Sequence, residues 1–346
     1  METIDSRKLL ETTPKFFLLC VLMFLAMPAR TRAQTGLGAC TKKPIVINHP
    51  GSYILKHDLT PGTATDCIDV SVGGVSIDLN GFAIVGPGSG TGVGINASVS
   101  NITIRNGTVS AMGKAGVIAG NDGIVQNVRA NNNGGNGIEA GTDSNVSNST
   151  ANSNGGIGIG AGDRSVISNS FANGAGGSNA IACGNQCRLT GNTANGTRAK
   201  SGSLSCGTAC TIAGNSVNGN SLGRGIVAGD DCRVTGNTVN FTELEGIVCG
   251  KACVIDGNTA DSDWFGIVTG DNAQVSRNTV NSEVNYGIET GANSTVVGNS
   301  ASQDGYGLVL GTNSGYTQNV MNGEGTAVSG GTPMGPNICN GSTTCP

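Results

Sequence analysis

Short stretches of alternating apolar and polar residues recur along the chain about every 21 residues. The phrase GIVCG at 246–250 returns as GIVTG at 266–270, and related phrases begin at ten places between 116 and 307. When each unit is numbered from the start of this phrase, position 2 is always Val, Ile or Leu, position 4 is mostly Ala, Cys or Thr, and position 3 varies. This period of two predicts a short β-strand with positions 2 and 4 facing inward.

Two more short strands are predicted in each unit. Position 8 is always small, and position 10 is Val, Ile or Leu in nine units and Tyr316 in the last. An Asn then recurs with the same period, from Asn106 to Asn319, before a third stretch such as TVN at 238–240. Three strands in about 21 residues leave no room for a helix, so each unit predicts one coil of a solenoid with eleven or twelve stacked coils. The Asn amides of successive coils should form a buried hydrogen-bonded ladder.

The composition agrees with many tight turns between short strands. The chain has 58 glycines, 12% charged and 3% aromatic residues. It contains too much Ile and Val for a flexible linker, and its glycines do not fall at every third residue as in collagen. The net charge is −4 and the repeats contain no basic cluster, so we expect no nucleic-acid partner.

The first 33 residues have the organisation of a secretory signal peptide. Arg7, Lys8 and Lys15 precede twelve apolar residues at 16–27, and the sequence PARTRA then ends at a small residue, Ala33. Twelve apolar residues are too few for a membrane span, which needs about 20. We therefore expect removal of residues 1–33, no remaining membrane span, and a secreted protein, extracellular or periplasmic.

Eleven cysteines remain after this cleavage, and an oxidising compartment permits disulfides between them. Within the repeats they occupy positions 4 and 8, which flank one turn. Bridges within a coil (183–187, 206–210, 249–253) and bridges between stacked coils both fit this spacing. A site of four converging thiolates for a metal is the alternative. Cys40–Cys67 and Cys339–Cys345 are expected as terminal disulfides, with Cys232 left unpaired.

The chain resembles the right-handed parallel β-helix proteins of the pectate lyase-like superfamily. GSYILKHDLT at 51–60 and CIDVSVGGVSIDLNGFAIVG at 67–86 are similar to the first coils of such proteins, and the resemblance covers about residues 44–330. It implies an all-β fold: an N-terminal segment and cap at 34–66, a single-chain parallel β-helix at 67–330, and a disulfide-closed tail at 331–346. We expect a monomer. The superfamily holds lyases, hydrolases, epimerases, binding proteins and adhesins, so the fold leaves the activity open.

The catalytic motifs of that superfamily are missing from this sequence. The polygalacturonase-like members use aspartates with Gly-His-Gly and Arg-Ile-Lys, whereas the only histidines here are His49 and His57, both before the repeats. No pectate lyase-like set of calcium-binding aspartates with an arginine base matches. The sequence also has no metal-ligand cluster, so no metal site is predicted.

Aromatic and acidic residues gather in the C-terminal coils. Phe265, Tyr286 and Tyr306 each precede the opening glycine of a unit and should stack on successive coils. Aromatic rings can cover the C–H faces of sugars while carboxylates accept hydrogen bonds from hydroxyls. The predicted polysaccharide-binding residues are Trp264, Phe265, Tyr286, Tyr306 and Asp304. The catalytic candidates are Glu245, Asp261, Asp263 and Glu283. The alternative is that the rings only stabilise a corner of the solenoid.

Three functions remain open: a polysaccharide-binding β-helix, a lyase, hydrolase or epimerase with a diverged site, and a structural or adhesive solenoid. A lyase should place a basic residue beside the acids, and Lys251 and Arg277 are the nearest by coil. A stripe of aspartates after the first strand suits the turns there, or could bind calcium as a cofactor. Its members are Asp122, Asp143, Asp163, Asp230, Asp231 and Asp271.

Overall fold

Parallel strands one coil apart pair along the whole solenoid in the computed structural model. The structure describes residues 34–345 except 177–178, 197–201, 220–222 and 262–263, so the predicted signal peptide lies outside the described residues. The described residues form 38 strands and no helix. In this part of the chain, accordingly, no helix is long and apolar enough to cross a membrane.

The strands stack into three parallel sheets, with one strand of each sheet in nearly every coil. The first sheet contains β2 (Ile45–Ile47), β4 (Ile68–Val70), β7 (Ile95–Ala97), β9 (Val117–Ala119), β11 (Ile138–Ala140), β14 (Ile159–Ala161), β17 (Ile181–Cys183), β20 (Leu204–Cys206), β23 (Ile226–Ala228), β26 (Glu245–Cys249), β29 (Phe265–Thr269), β32 (Tyr286–Thr290), β35 (Tyr306–Thr317) and β37 (Thr326–Pro333). The second sheet contains β1 (Thr35–Gly36), β3 (Gly51–Ile54), β5 (Val75–Asp78), β8 (Ile102–Ser110), β10 (Ile124–Asn131), β12 (Asn145–Ser147), β15 (Val166–Ser168), β18 (Arg188–Thr190), β21 (Thr211–Ala213), β24 (Arg233–Thr235), β27 (Val254–Asp256), β30 (Gln274–Ser276) and β33 (Thr295–Val297). The third sheet contains β6 (Ala83–Val85), β13 (Thr150–Asn152), β16 (Phe171–Asn173), β19 (Thr193–Asn195), β22 (Ser216–Asn218), β25 (Thr238–Asn240), β28 (Thr259–Asp261), β31 (Thr279–Asn281), β34 (Ser300–Ser302), β36 (Val320–Asn322) and β38 (Ile338–Cys339).

Four long strands turn the corner between two sheets. Strands β8 and β10 continue from the second sheet into the third, and β35 and β37 continue from the first into the second. This arrangement confirms the predicted all-β, right-handed parallel β-helix with about 21 residues per coil.

The solenoid has about 14 coils, more than the eleven or twelve expected. The additional coils lack the repeated phrase but pair in register with their neighbours, as β2 does with β4 and β37 with β35. Stacking thus extends beyond 67–330 in both directions: β1 to β3 lie within 34–66, and β38 lies within the C-terminal tail.

The interior follows the predicted alternation. Ile247 and Cys249 are buried, whereas Val248 between them is partly exposed. The β-branched side chains at positions 2 and 10 suit a pleated, half-buried strand. Burying each stabilises the fold by about 1.5–3 kcal/mol, but only when a neighbouring coil covers it.

A buried Asn ladder runs through about the C-terminal half of the solenoid, as predicted. The Nδ2 of Asn237 donates to the Oδ1 of Asn258 at 2.9 Å, and the backbone N–H of Asn237 donates to the same oxygen. The members are Asn192, Asn215, Asn237, Asn258, Asn278, Asn299, Asn319 and Asn337.

The prediction of a buried Asn ladder was wrong for the earlier coils. There the recurring Asn lies one residue before the position whose side chain is buried. Asn106, Asn127, Asn148 and Asn169 have positive φ angles at the corner between the second and third sheets. Ser170 continues the buried column instead, its N–H donating to the Oδ1 of Asn192 at 3.0 Å. Asn tolerates this left-handed conformation better than most residues, so it takes the position that glycine holds in several later coils.

The disulfides follow the within-coil alternative. Bridges join Cys183–Cys187, Cys206–Cys210 and Cys249–Cys253, together with Cys40–Cys67 and Cys339–Cys345. Cys232 is buried and is the free cysteine of the described residues, as predicted. Burial raises the pKa of its thiol, which disfavours the reactive thiolate.

Candidate functional site

An aromatic row lies on the outer surface where strands β29, β32 and β35 begin. Phe265 pairs in register with Tyr286, and Tyr286 with Tyr306, so the rings occupy three successive coils as predicted. The ring centroids are 5.3 Å apart for Phe265 and Tyr286 and 5.4 Å apart for Tyr286 and Tyr306. This spacing follows the distance between neighbouring strands of one sheet, about 4.8 Å.

The rings contact one another and also face solvent. The planes of Phe265 and Tyr286 are tilted by 54°. Those of Tyr286 and Tyr306 are tilted by 79°, which is edge-to-face packing. Such pairs stabilise a fold by about 0.5–1.5 kcal/mol beyond their burial. Tyr306 nevertheless remains 40% exposed and the neighbouring Trp264 46% exposed. The row therefore packs ring against ring at this corner and leaves ring surface exposed to solvent.

Two charged residues extend this row toward the N-terminus. Glu245 pairs in register with Phe265. Its Oε2 accepts a hydrogen bond from the Nε of Arg224 at 2.7 Å, in the preceding coil. The outer row thus comprises a guanidinium, a carboxylate and three rings on five successive coils.

The basic residue beside the row is Arg224, which the sequence reasoning missed. Lys251 instead forms an ion pair with Asp271 at 3.5 Å, and Arg277 forms one with Asp256 at 2.5 Å. Both lie at turns after the first or second strand, away from the row. Arg224 immediately precedes Gly225, and in later coils the residue that precedes this glycine is one of the three rings. This shared position in the repeat could have placed Arg224 in the row.

Two of the predicted site acids face the core instead of the surface. Glu283 and Asp304 are only 2% and 4% exposed, and Glu324 on the next coil is 7% exposed. The backbone N–H of Glu283 donates to Asp304 Oδ1 at 3.0 Å, and that of Asp304 donates to Glu324 Oε2 at 2.8 Å. These acids form a buried column that ties successive coils together, so Glu283 and Asp304 do not face a ligand at the outer row.

Burial has a strong electrostatic effect on this column. It raises the pKa of Asp304 to about 8, and the nearby carboxyl groups of Glu324 and Asp261 add to the shift. Burial also raises the pKa of Glu324. A neutral Asp304 at physiological pH avoids the large penalty of an unpaired buried charge.

One of the two remaining candidate acids lies within the described residues. Asp261 ends β28 in the third sheet, where it pairs in register with Asn240 and Asn281. Asp263 lies outside the described residues. Among the three catalytic candidates within the described residues, Glu245 is the one that lies in the outer row.

The aspartate stripe stabilises turns between stacked coils. The carboxylate of Asp230 accepts the backbone N–H of Lys251 at 2.7 Å, and that of Asp271 accepts the N–H of Ala292 at 3.0 Å. Asp143 forms an ion pair with Arg164 at 2.6 Å, which lowers the pKa of Asp143. Within the described residues, no group of three or more His, Cys, Asp or Glu side chains is placed to hold a metal ion.

Residues 172–325 match the profile of a family described as periplasmic copper-binding protein (NosD). No curated protein matches the chain significantly. Among solved structures, the A-module of the mannuronan C-5 epimerase AlgE6 of Azotobacter vinelandii is similar, with a TM-score of 0.58 and 14% identity over 84% of this chain and 90% of that one. The periplasmic alginate epimerase AlgG is similar with a TM-score of 0.51 and 14% identity over 85% of this chain and 75% of that one. These similarities show the shared right-handed parallel β-helix fold.

Proposed function

We propose that this protein is an exported β-helix that binds a polysaccharide along the outer row from Arg224 to Tyr306. The observation that carries the proposal is the placement of three rings, one carboxylate and one guanidinium on five successive coils of one sheet. With neighbouring strands about 4.8 Å apart, the row is about 20 Å long, enough to contact several sugar units of an extended chain.

The chemistry of the row suits carbohydrate. The exposed parts of Trp264 and Tyr306 can cover the apolar C–H faces of sugar rings. Hydroxyls at the N-terminal end of the row can donate to Glu245 or accept from Arg224, both charged and therefore strong hydrogen-bonding groups. The solved structures of similar fold include epimerases of alginate and mannuronan, which makes acidic polysaccharides the first class to test.

Binding without turnover fits the acids better than catalysis does. A hydrolase needs two carboxyl groups at the substrate, one as acid and one as base or nucleophile. Glu283 and Asp304 point into the core, and Glu245 is already held by Arg224. An enzyme with a diverged site is the alternative that the experiment below distinguishes.

Export is supported by the disulfides and by the family match. Five disulfides occur in the described residues, and such bonds persist in oxidising compartments. The matching family is described as periplasmic. Together with the predicted signal peptide, these features favour a periplasmic or extracellular protein.

Copper binding does not fit the residues of the matched region. Residues 172–325 contain no histidine, and six of their seven cysteines form disulfides. The seventh, Cys232, is buried, and the pKa of its thiol is raised. Cu sites need His, thiolate or thioether groups that converge on one point. We therefore assign no metal to this function.

The test is co-sedimentation and calorimetry of residues 34–346 with alginate, polygalacturonate and a neutral glucan. We expect Tyr306→Ala to weaken binding about tenfold, which corresponds to ~1.4 kcal/mol. Phe171→Ala is the matched control, because Phe171 is 37% exposed but lies in the third sheet. Unsaturated-uronate absorbance and reducing ends are followed in parallel. Products that disappear in Glu245→Gln would identify an enzyme, and no binding at all would favour a structural solenoid.

A further inference from the structure

A second concave surface lies at the corner between the second and third sheets, in the N-terminal coils. A cleft of about 410 Å³ is bordered there by Asn106, Asn127 and Asn148 together with Thr108, Arg129 and Thr150. These residues belong to the long strands β8 and β10, which turn the corner, and to the beginning of the next coil. The cleft is separate from the first sheet, which carries the aromatic row.

The asparagines present a row of amides along this cleft. Their positive φ angles, 62° at Asn106, 55° at Asn127 and 50° at Asn148, place them at the corner itself. Asn127 Nδ2 donates to Asn106 Oδ1 at 3.2 Å, and Asn106 Nδ2 donates to Asp78 Oδ1 at 3.2 Å. Both Asn127 and Asn148 are exposed, so their amides can also bond to a ligand.

The fold does not require these amides. The same corner is formed by Gly191, Gly214, Gly236 and Gly257 in later coils, with φ angles of 61° to 64°. Glycine is the residue that adopts this conformation with least strain. The Asn side chains at the cleft therefore provide hydrogen-bonding groups that the turn itself does not need.

Arg129 adds a positive charge to the same surface. It pairs in register with Thr108 on one side and Thr150 on the other, and it is exposed. Within the described part of the chain Arg129 forms no ion pair, whereas Arg105 on the neighbouring strand is held by Asp78 at 3.0 Å. Its guanidinium is thus flanked by two threonines and available to an anion.

We propose that this cleft is a second binding site, specific for a carboxylated sugar unit of an acidic oligosaccharide. The planar guanidinium of Arg129 matches a carboxylate with two parallel hydrogen bonds. The hydroxyls of Thr108 and Thr150 and the amides of Asn127 and Asn148 can both donate to and accept from sugar hydroxyls. The volume lies at the small end of the range for ligand pockets, which suits one or two sugar units.

The experiment is a calorimetric titration of residues 34–346 with trigalacturonate, maltotriose and sodium sulfate. We expect trigalacturonate to bind and maltotriose to bind far more weakly, with Arg129→Gln weakening trigalacturonate about tenfold, because it removes one charge-assisted contact. Asn127→Gly should weaken it several-fold without loss of stability. Arg188→Gln is the control, an exposed arginine of the second sheet that also has no ion pair in the described residues.

Binding at the Arg129 cleft and binding at the aromatic row can be tested separately. All titrations are therefore repeated in a Tyr286→Ala, Tyr306→Ala background, which removes two rings of the row and leaves the cleft intact. Retention of the Arg129-dependent binding there supports the proposal. Unchanged affinity in Arg129→Gln, absence of trigalacturonate binding in that background, or sulfate binding as tightly as trigalacturonate would overturn it, the last outcome indicating a general anion site.

Discussion

Replacing Asp304 with Asn should remove most of the pH dependence of stability in the C-terminal coils. Asp304 is 4% exposed, and its pKa is about 8 in the folded protein against an ordinary value of 3.8. Asn keeps an oxygen that can accept the N–H of Glu283 but carries no charge at any pH. The sequence itself uses this substitution: Asn133 and Asn154 hold the same buried position in N-terminal coils and accept the corresponding N–H groups at 3.0 Å.

The sign follows from proton binding. Below pH 3.8 Asp304 is protonated in both states, so it has no differential effect. Between pH 3.8 and about 8 the unfolded chain loses this proton while the folded protein keeps it, so the free energy of unfolding falls as the pH rises. The slope is about 1.4 kcal/mol per pH unit, which sums to a loss on the order of 5 kcal/mol before it levels off. Local opening that hydrates the carboxyl group limits the observed loss to the free energy of that opening.

The assay is urea unfolding followed by circular dichroism at several pH values from 5 to 9. We expect the wild-type midpoint to fall steadily with pH, and the Asp304→Asn midpoint to fall much less, with a residual slope from Glu324, and to exceed the wild type at pH 8. Asp271→Asn serves as the control, because Asp271 lies at a turn near the surface in an ion pair with Lys251. A wild-type midpoint that is the same at pH 5 and pH 8, or an unchanged slope in Asp304→Asn, would refute the buried neutral acid.

Three further predictions concern the core. Asn258→Ala should destabilise the protein by about 3 kcal/mol in urea unfolding, because it leaves buried donors and acceptors of two neighbouring coils unpaired. Gly287→Ala should destabilise by ~1–3 kcal/mol, since its Cβ would lie 2.4 Å from Asp304 Oδ2, whereas Gly160→Ala meets nothing closer than 3.6 Å and should be neutral. Thiol titration without reductant should find Cys232 unreactive in the native protein and reactive after denaturation; native reactivity would contradict its burial.

The sequence predicted the direction of most side chains because stacked coils repeat one geometry. A residue at position 2 or 4 faces the core in each coil, so the alternation around Ile247 could be read from spacing. The spacing of Cys249 and Cys253 allowed a bridge within the coil but also bridges between coils, and the structure shows the first. Cys232 could be identified as unpaired for the same reason, since Ala228 occupies its partner position.

The wrong predictions have two causes. One residue type can occupy either of two positions in the coil, and the length of a turn differs between coils. Asn can form either the left-handed corner or the buried ladder, and Asn169 and Asn192 do one each, a single residue apart within the coil. The buried acids were missed because charged residues are rarely buried. Glu283 lies four residues before its opening glycine and Asp304 lies three before its own, so counting residues did not show that they share one column.

The buried column and the aromatic row occupy the same turns, so one titration should affect both. Asp304 lies two residues before Tyr306, and its hydrogen bond with Glu283 joins the two turns that precede β32 and β35, the strands that begin with Tyr286 and Tyr306. Ionisation of Asp304 near pH 8 puts a charge under these strand ends and favours their opening to water.

Polysaccharide binding by the row should therefore weaken above about pH 8 in the wild type but persist in Asp304→Asn. Co-sedimentation at pH 6 and pH 9, with both proteins at the same ionic strength, measures this difference. The Arg129 cleft lies in distant N-terminal coils and provides the internal reference, since its titration with trigalacturonate should show no such difference between the two proteins. Equal loss of binding by the row in wild type and Asp304→Asn at pH 9 would mean that the rings are positioned independently of the acids beneath them.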